Sequence, residues 1–230
     1  MSQAIQAYVF DAYGTLFDVA SPVREDGADL GADAPRLAEL WRDKQLQYTW
    51  LRALQGRFAD FEQVTADALD FALDALGRRD ETLRERLLQA YAGPRTYPEV
   101  KATLQALRAR GQRTAILSNG TTRWLASAVH ANGLNGLFDA VLSVDTVRVF
   151  KPHPAVYRLA EDSLNLPAAA ISFQSSNGWD AYSAAAYGMR VVWCNRTGQP
   201  AERLPQAPHF TIKRLDELLA LAPLELAEKP

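Results

Sequence analysis

The sequence predicts an α/β fold: a doubly wound parallel sheet with an all-helical segment inserted after its first strand. Three observations predict it. From residue 93 onward, short apolar runs alternate with helical periodicities, the pattern of strand–helix–strand units. Residues 18–92 carry helical patterns and no convincing strand. The runs that end near Asp11, Ser118 and Ser175 stop abruptly in polar residues. Buried strands do this when they deliver side chains to the crevice beyond the carboxyl edge of a sheet, where ligands bind in such folds.

The elements follow in order. Ile5 to Phe10 reads as the first strand, closed by Asp11-Ala12-Tyr13-Gly14-Thr15, with Gly14 letting the backbone turn. Residues 18–33, rich in Asp, Gly and Ala, read as a loop with room for a short helix. Pro35 suits a first helical turn, and Leu37, Leu40, Trp41, Tyr48 and Leu51 keep a helical rhythm to about Leu54. Further helices are predicted from Phe61 to Leu76 and from Glu81 to Tyr91. After Gly93-Pro94 come a helix from Pro98 to Arg110, a strand over Arg113–Leu117 and a helix over Thr122–Ala131. A strand over Ala140–Val144 and a helix over Pro154–Leu164 follow, then a strand over Ala170–Phe173 and a helix over Trp179–Tyr187. Strands over Arg190–Cys194 and His209–Ile212 and a helix over Asp216–Leu221 complete the chain. The expected division is a core of residues 1–17 and 93–230, with residues 18–92 as a cap over the crevice.

Composition narrows the function classes. The chain has 230 residues, 48% hydrophobic and 23% charged, with a formal net charge of -2. No strong field draws it to nucleic acid or an anionic membrane. Cys194 is the only cysteine, so an intramolecular disulfide and an all-cysteine metal site are excluded. His130, His153 and His209 are scattered without ligand spacing, and His153 reads as a residue that opens a helix. No apolar run is long enough to span a membrane. Without a signal-peptide pattern, a cytoplasmic location is expected.

Singly, each polar strand end has an ordinary explanation. Asp11 suits a turn acid, Ser118-Asn119-Gly120 a turn, Asp180 a first-turn helix acid, and Ser175, Ser176 and Asn177 caps. Lys151 and Arg42 suit solvated cations. A second explanation covers them jointly. A hydroxyl and amides at a helix start bind an anion, and Lys151 holds a carboxylate ionised. Arg42, beside Trp41, supplies a cation for a halide or a carboxylate.

Asp11-Ala12-Tyr13-Gly14-Thr15, Ser118-Asn119-Gly120, Lys151-Pro152 and Ser175-Ser176-Asn177-Gly178-Trp179-Asp180, in this order and spacing, resemble the motifs of the haloacid dehalogenase superfamily. The stretch Trp41-Arg42-Asp43-Lys44-Gln45-Leu46-Gln47-Tyr48-Thr49-Trp50 resembles that of the (S)-2-haloacid (type II, or L-2-haloacid) dehalogenases. The resemblance implies a Rossmann-like core with a helical cap. It implies that Asp11 attacks C2 of a short (S)-2-haloalkanoate, expels halide with inversion and forms an ester, which water then hydrolyses to the (R)-2-hydroxy acid. By the same resemblance, Ser118 and the amides around Ala12, Tyr13 and Asn119 bind the substrate carboxylate, and Arg42 takes the halide. Lys151, Thr15 and Ser175 orient Asp11, and Tyr157 holds Lys151 or the substrate. Asn177 or Asp180 positions or activates the water. Tyr13, Leu46, Phe61 and Trp179 wall the pocket. A homodimer is implied as well.

Two departures from the superfamily's magnesium-dependent phosphotransferases sharpen the reading. Tyr13 stands where they carry a second Asp to protonate the leaving oxygen, and Ser175 stands where they carry a metal-binding acid. Halide leaves without a proton, so the second acid can be discarded; with one metal-binding acid lost and Lys151 nearby, neither a metal nor any other cofactor is expected. The rival readings are a phosphatase or phosphonate hydrolase of the same fold, and a non-catalytic protein that binds small carboxylates. Asp43, beside Arg42, is an acid where an uncharged amide is expected, and it is expected to face solvent.

Overall fold

The computed structural model of the protein describes residues 4–221. Its centre is a six-stranded sheet in the order β3-β2-β1-β4-β5-β6, and every pairing is parallel. The strands are β1 (Ala7–Phe10), β2 (Arg113–Ser118), β3 (Ala140–Ser143), β4 (Ile171–Ser175), β5 (Arg190–Cys194) and β6 (Phe210–Ile212). β1, β4 and β5 are buried along their whole length, which explains their near-continuous apolar runs: helices cover both faces of a parallel sheet. The winding direction reverses between β1 and β4, and Phe10 pairs there with Gln174. Asp11 and Ser175 therefore emerge side by side at the switch point, where α/β sheets form their crevice.

Four helices separate β1 from the rest of the core: α1 (Ser21–Asp26), α2 (Ala34–Leu54), α3 (Phe61–Ala75) and α4 (Glu81–Tyr91). α3 and α4 begin at aspartate caps, where Asp60 accepts from the Gln63 amide and Asp80 from the Leu83 amide. The remaining helices are α5 (Val100–Ala109), α6 (Thr122–Ala131), α7 (Pro154–Leu164) and α8 (Gly178–Tyr187). The two connections to the inserted helices run alongside each other. The Asp18 amide donates to the Arg95 carbonyl at 2.8 Å and the Tyr97 amide to the Leu16 carbonyl at 3.1 Å. Arg196 secures this seam by donating to the Thr15 carbonyl at 2.8 Å, pairing with Glu99 at 2.5 Å and lying over the Tyr97 ring.

Three expectations need correction. The inward stripe of α2 is Leu37, Trp41, Gln45 and Thr49, not the apolar series that includes Tyr48 and Leu51. Leu51 is 44% exposed. Burial of the two polar side chains is possible because both are hydrogen-bonded, Gln45 to Thr65 and Thr49 to the Leu46 carbonyl. β4 runs on to Ser175, with Gln174 buried in the sheet and donating through Nε2 to Ser172 Oγ. The last helix is a 3-10 segment, Leu215–Ala220. Among the described residues, no helix is long and apolar enough to cross a membrane.

Candidate active site

The site forms where loops from the ends of β1, β2 and β4 meet the loop before α7. Asp11, only 6% exposed, follows directly on β1. Its Oδ1 accepts from Lys151 Nζ at 3.1 Å. Its Oδ2 accepts from Thr15 Oγ1 at 2.9 Å and from Asn177 Nδ2 at 2.8 Å. Thr15 is itself fixed, because its hydroxyl accepts from the Ser176 amide at 2.8 Å. Asn177 sits at the N-cap of α8, yet its side chain does not cap. It donates instead to Asp11 and to the Tyr13 carbonyl, and accepts from Arg42 Nη2 at 3.0 Å.

Lys151 is buried between two carboxylates. Its Nζ donates to Asp180 Oδ2 at 2.9 Å as well as to Asp11, and lies over the Phe173 ring. Burial works against its charge, but Asp11 and Asp180 together outweigh burial and hold the ammonium above its ordinary pKa. Asp180 is pushed up, first by burial and then by the charge of Asp11, against the pull of Lys151. One cation thus serves two acids. Burial holds the Tyr13 phenol well above its ordinary range, so it stays neutral and is a poor proton donor.

The structure brings most of the sequence-selected residues together and corrects two contacts. Tyr157 holds neither Lys151 nor the open site; its hydroxyl donates to Asp180 Oδ1 at 2.8 Å, behind the lysine. Ser175 makes no hydrogen bond to Asp11 among the described residues; its hydroxyl bonds the backbone of Asn177 and shapes that turn. Register accounts for both, since Ser175 is still in the β4 ladder and Tyr157 lies one turn into α7. Ser118 Oγ accepts from the Gly120 amide at 3.0 Å, and Asn119 Oδ1 accepts from the Lys151 amide at 2.9 Å, which pins the lysine loop. His153 caps α7 by accepting from the Ala155 amide, and Asp43 is exposed.

Arg42, Leu46 and Trp50 lie at helical spacing on one face of α2, half-buried. Arg42 meets Asn177, and Trp50 packs edge-on against Trp179 with centroids 5.4 Å apart. Tyr13 packs against Phe61 at 5.2 Å and stacks on Tyr91 at 5.6 Å. Gly120 is required by this arrangement, since a Cβ there would lie 2.6 Å from the Tyr13 ring. The Tyr13 hydroxyl and the Trp50 and Trp179 indole N–H groups are buried without a hydrogen-bond partner among the described residues. Buried polar groups normally have one. Sequence reading missed Gln45, Trp50 and Tyr91 as site residues. The i, i+4 continuation of Leu37 and Trp41 onto Gln45 was the available signal.

The donor set does not fit magnesium. An ammonium already bridges Asp11 and Asp180, and the second oxygen of Asp180 is taken by Tyr157. A hydroxyl, Ser175, stands in place of a carboxylate, and no group of three His, Cys, Asp or Glu suited to a metal occurs among the described residues. Magnesium needs hard oxygen donors in octahedral array. The geometry suits instead an ionised, oriented carboxylate acting as a nucleophile in a largely dry cleft.

Comparison with known proteins bears on this. Residues 5–188 match the family described as haloacid dehalogenase-like hydrolase. The chain is 44% identical over 215 residues to (S)-2-haloacid dehalogenase 1 of Pseudomonas sp. (strain CBS-3), covering 93% of this chain and 95% of that one. It is 41% identical over 218 residues to haloacetate dehalogenase H-2 of Moraxella sp. (strain B), covering 94% and 97%. Among solved structures, it is similar to the L-2-haloacid dehalogenase of Xanthobacter autotrophicus with chloropropionic acid covalently bound. That match has a TM-score of 0.89 and 38% identity over 97% of this chain and 100% of the other.

Proposed function

The chain belongs to the haloacid dehalogenase-like hydrolases, and on that premise we propose that it hydrolyses short (S)-2-haloalkanoates to (R)-2-hydroxyalkanoates and halide. The observation that carries this reading is the lysine-held pair Asp11–Lys151–Asp180, with neutral Tyr13 in the place of a second acid. Such a site can form a bond to carbon but has no group to protonate a phosphoryl leaving oxygen.

Asp11 attacks C2 in line, halide leaves toward Arg42, and an Asp11 ester forms. Lys151, Thr15 and Asn177 hold the carboxylate in line, and alignment of this kind supplies roughly 7–11 kcal/mol. Ser118 and the amides of Ala12, Tyr13 and Asn119 take the substrate carboxylate. Tyr13, Leu46, Phe61 and Trp179 enclose C2 and its substituent. Water then attacks the Asp11 carbonyl carbon. Asn177, in direct contact with Asp11, orients that water. Asp180, the carboxylate that Lys151 holds beside Asp11, is the base that takes its proton. Ser175 shapes the Asn177 turn, and Tyr157 positions Asp180. The solved relative with chloropropionic acid covalently bound supports an ester intermediate.

Residues 1–17 and 93–230 form the catalytic core of this reading and residues 18–92 its cap. A cytoplasmic location belongs to the same proposal, and so does a homodimer. Leu51, Leu54 and Phe71, exposed on α2 and α3, offer the dimer an apolar face.

Single-turnover hydrolysis of (S)-2-chloropropionate by excess enzyme in oxygen-18 water tests the mechanism. Label is expected in Asp11 and not in the first product; label in that product alone would mean direct attack by water. Halide release after exhaustive chelation tests the phosphatase reading, which predicts phosphate release restored by magnesium. A protein that only binds carboxylates would release no halide.

A further inference from the structure

We infer that Gln45, buried inside the helical cap, positions Arg42 for the departing halide and couples the cap to the nucleophile. This rests on the reading of Arg42 just proposed. Gln45 is 1% exposed, and every polar atom of its side chain is engaged. Its Oε1 accepts from Arg42 Nη1 at 2.7 Å and from the Tyr91 hydroxyl at 3.1 Å. Its Nε2 donates to Thr65 Oγ1 at 2.7 Å, and Thr65 in turn donates to the Phe61 carbonyl at 2.6 Å.

The direction of this chain is forced. The Phe61 carbonyl can only accept, so the Thr65 hydroxyl must donate to it and accept from Gln45. The amide oxygen is then left facing the guanidinium. An amide meets both demands because it has one donor end and one acceptor end. Arg42 continues the chain by donating Nη2 to Asn177 Oδ1, and Asn177 donates to Asp11. A hydrogen-bonded path thus runs from α3 through Gln45 and Arg42 to the attacking carboxylate. Tyr91, which anchors the same amide, is stacked on Tyr13 at the pocket wall. Gln45 is a positioning residue: it acts through Arg42.

Gln45→Glu keeps size and acceptor but sets an anion against Arg42, cancelling charge meant for the halide. Tyr91→Phe removes only the second donor to the amide. Both are read by single-turnover rates with (S)-2-chloropropionate and (S)-2-bromopropionate. Chloride is the poorer leaving group and depends more on Arg42. For Gln45→Glu the chloride rate is expected to fall roughly 10- to 100-fold, the range for a disturbed hydrogen bond to a charged group. The bromide rate should fall several-fold less, and the rate of ester hydrolysis should change little. Tyr91→Phe, which serves alone if Gln45→Glu does not fold, should shift the ratio less and in the same direction. A purely structural role would slow both halides equally. An unchanged chloride-to-bromide ratio, with active wild-type enzyme, overturns this inference and leaves the proposed reaction standing. A wild-type enzyme that releases no halide from any 2-haloalkanoate overturns both.

Discussion

The two sides of the site are built differently. On the sheet side, Asp11, Thr15, Lys151, Tyr157 and Asp180 are buried and bonded to one another, and they come from the loops at the strand ends and the flanking helices α7 and α8. On the helical side, Arg42, Leu46 and Trp50 are half-buried on one long helix. They meet the sheet side through Asn177 and Trp179. A further polar contact between the two sides joins Glu62, in the first turn of α3, to Thr121 and Arg123. The sheet side is thus a fixed charge device, whereas the helical side adds the cation and the walls to which the proposed reaction assigns the leaving halide and the fit of the substrate. Bond-making chemistry tolerates little movement; a cover that must admit substrate requires some.

Replacing Asp11 should produce the largest effect. Asp11→Asn is expected to lower halide release by at least roughly 10⁴-fold, as loss of a covalent nucleophile does, while the fold persists. Near wild-type release would show that bond making does not reside on the sheet side.

Lys151→Met comes next and affects stability as well as rate. It strands two buried carboxylates, and breaking a buried pair in this way costs about 3–5 kcal/mol. A drop in melting temperature should therefore accompany the loss of activity. The pH dependence has a definite sign. The folded-state pKa of Lys151 lies above its ordinary 10.5. Its stabilisation is complete below 10.5 and is lost as pH rises through the higher folded value. A lysine-linked fall in stability at neutral pH would contradict this geometry.

Glu62→Gln should have the smallest effect. Arg123 is 76% exposed, and exposed pairs contribute about 0–1 kcal/mol. Melting temperature is expected to move little, with a modest change in kcat/KM that fades in high salt. A loss as large as that of Lys151→Met would mean that the cover is as rigid as the sheet side, and the contrast between them would fail.

The two regions also differ in how far they could be read from sequence. Asp11, Ser118 and Ser175 were legible because a period-two or continuous apolar run that stops at a polar residue marks a strand end, and strand ends converge in a parallel sheet. Lys151 was legible by its place between an aromatic residue and a proline after a strand. In the cover, the apolar rhythm gave the existence of α2 but set its phase toward Leu51. Gln45 is buried by virtue of hydrogen bonds to Thr65 and Tyr91 on other helices, and Thr49 by one to the Leu46 carbonyl of its own helix; hydropathy registers neither.

The sequence alone determined the alternation of strands and helices, the position of the helical insertion and the residue types at each strand end, because these follow from local periodicity and turn chemistry. Tertiary structure decided the strand order that sets β1 beside β4, the placement of one lysine between Asp11 and Asp180, and the turning of Tyr157 toward Asp180 and of Gln45 toward Arg42. All but the last join residues distant in the chain, and Gln45 is turned toward Arg42 by two distant partners, Thr65 and Tyr91. Their energies depend on burial and on partners that exist only once the chain has closed around them.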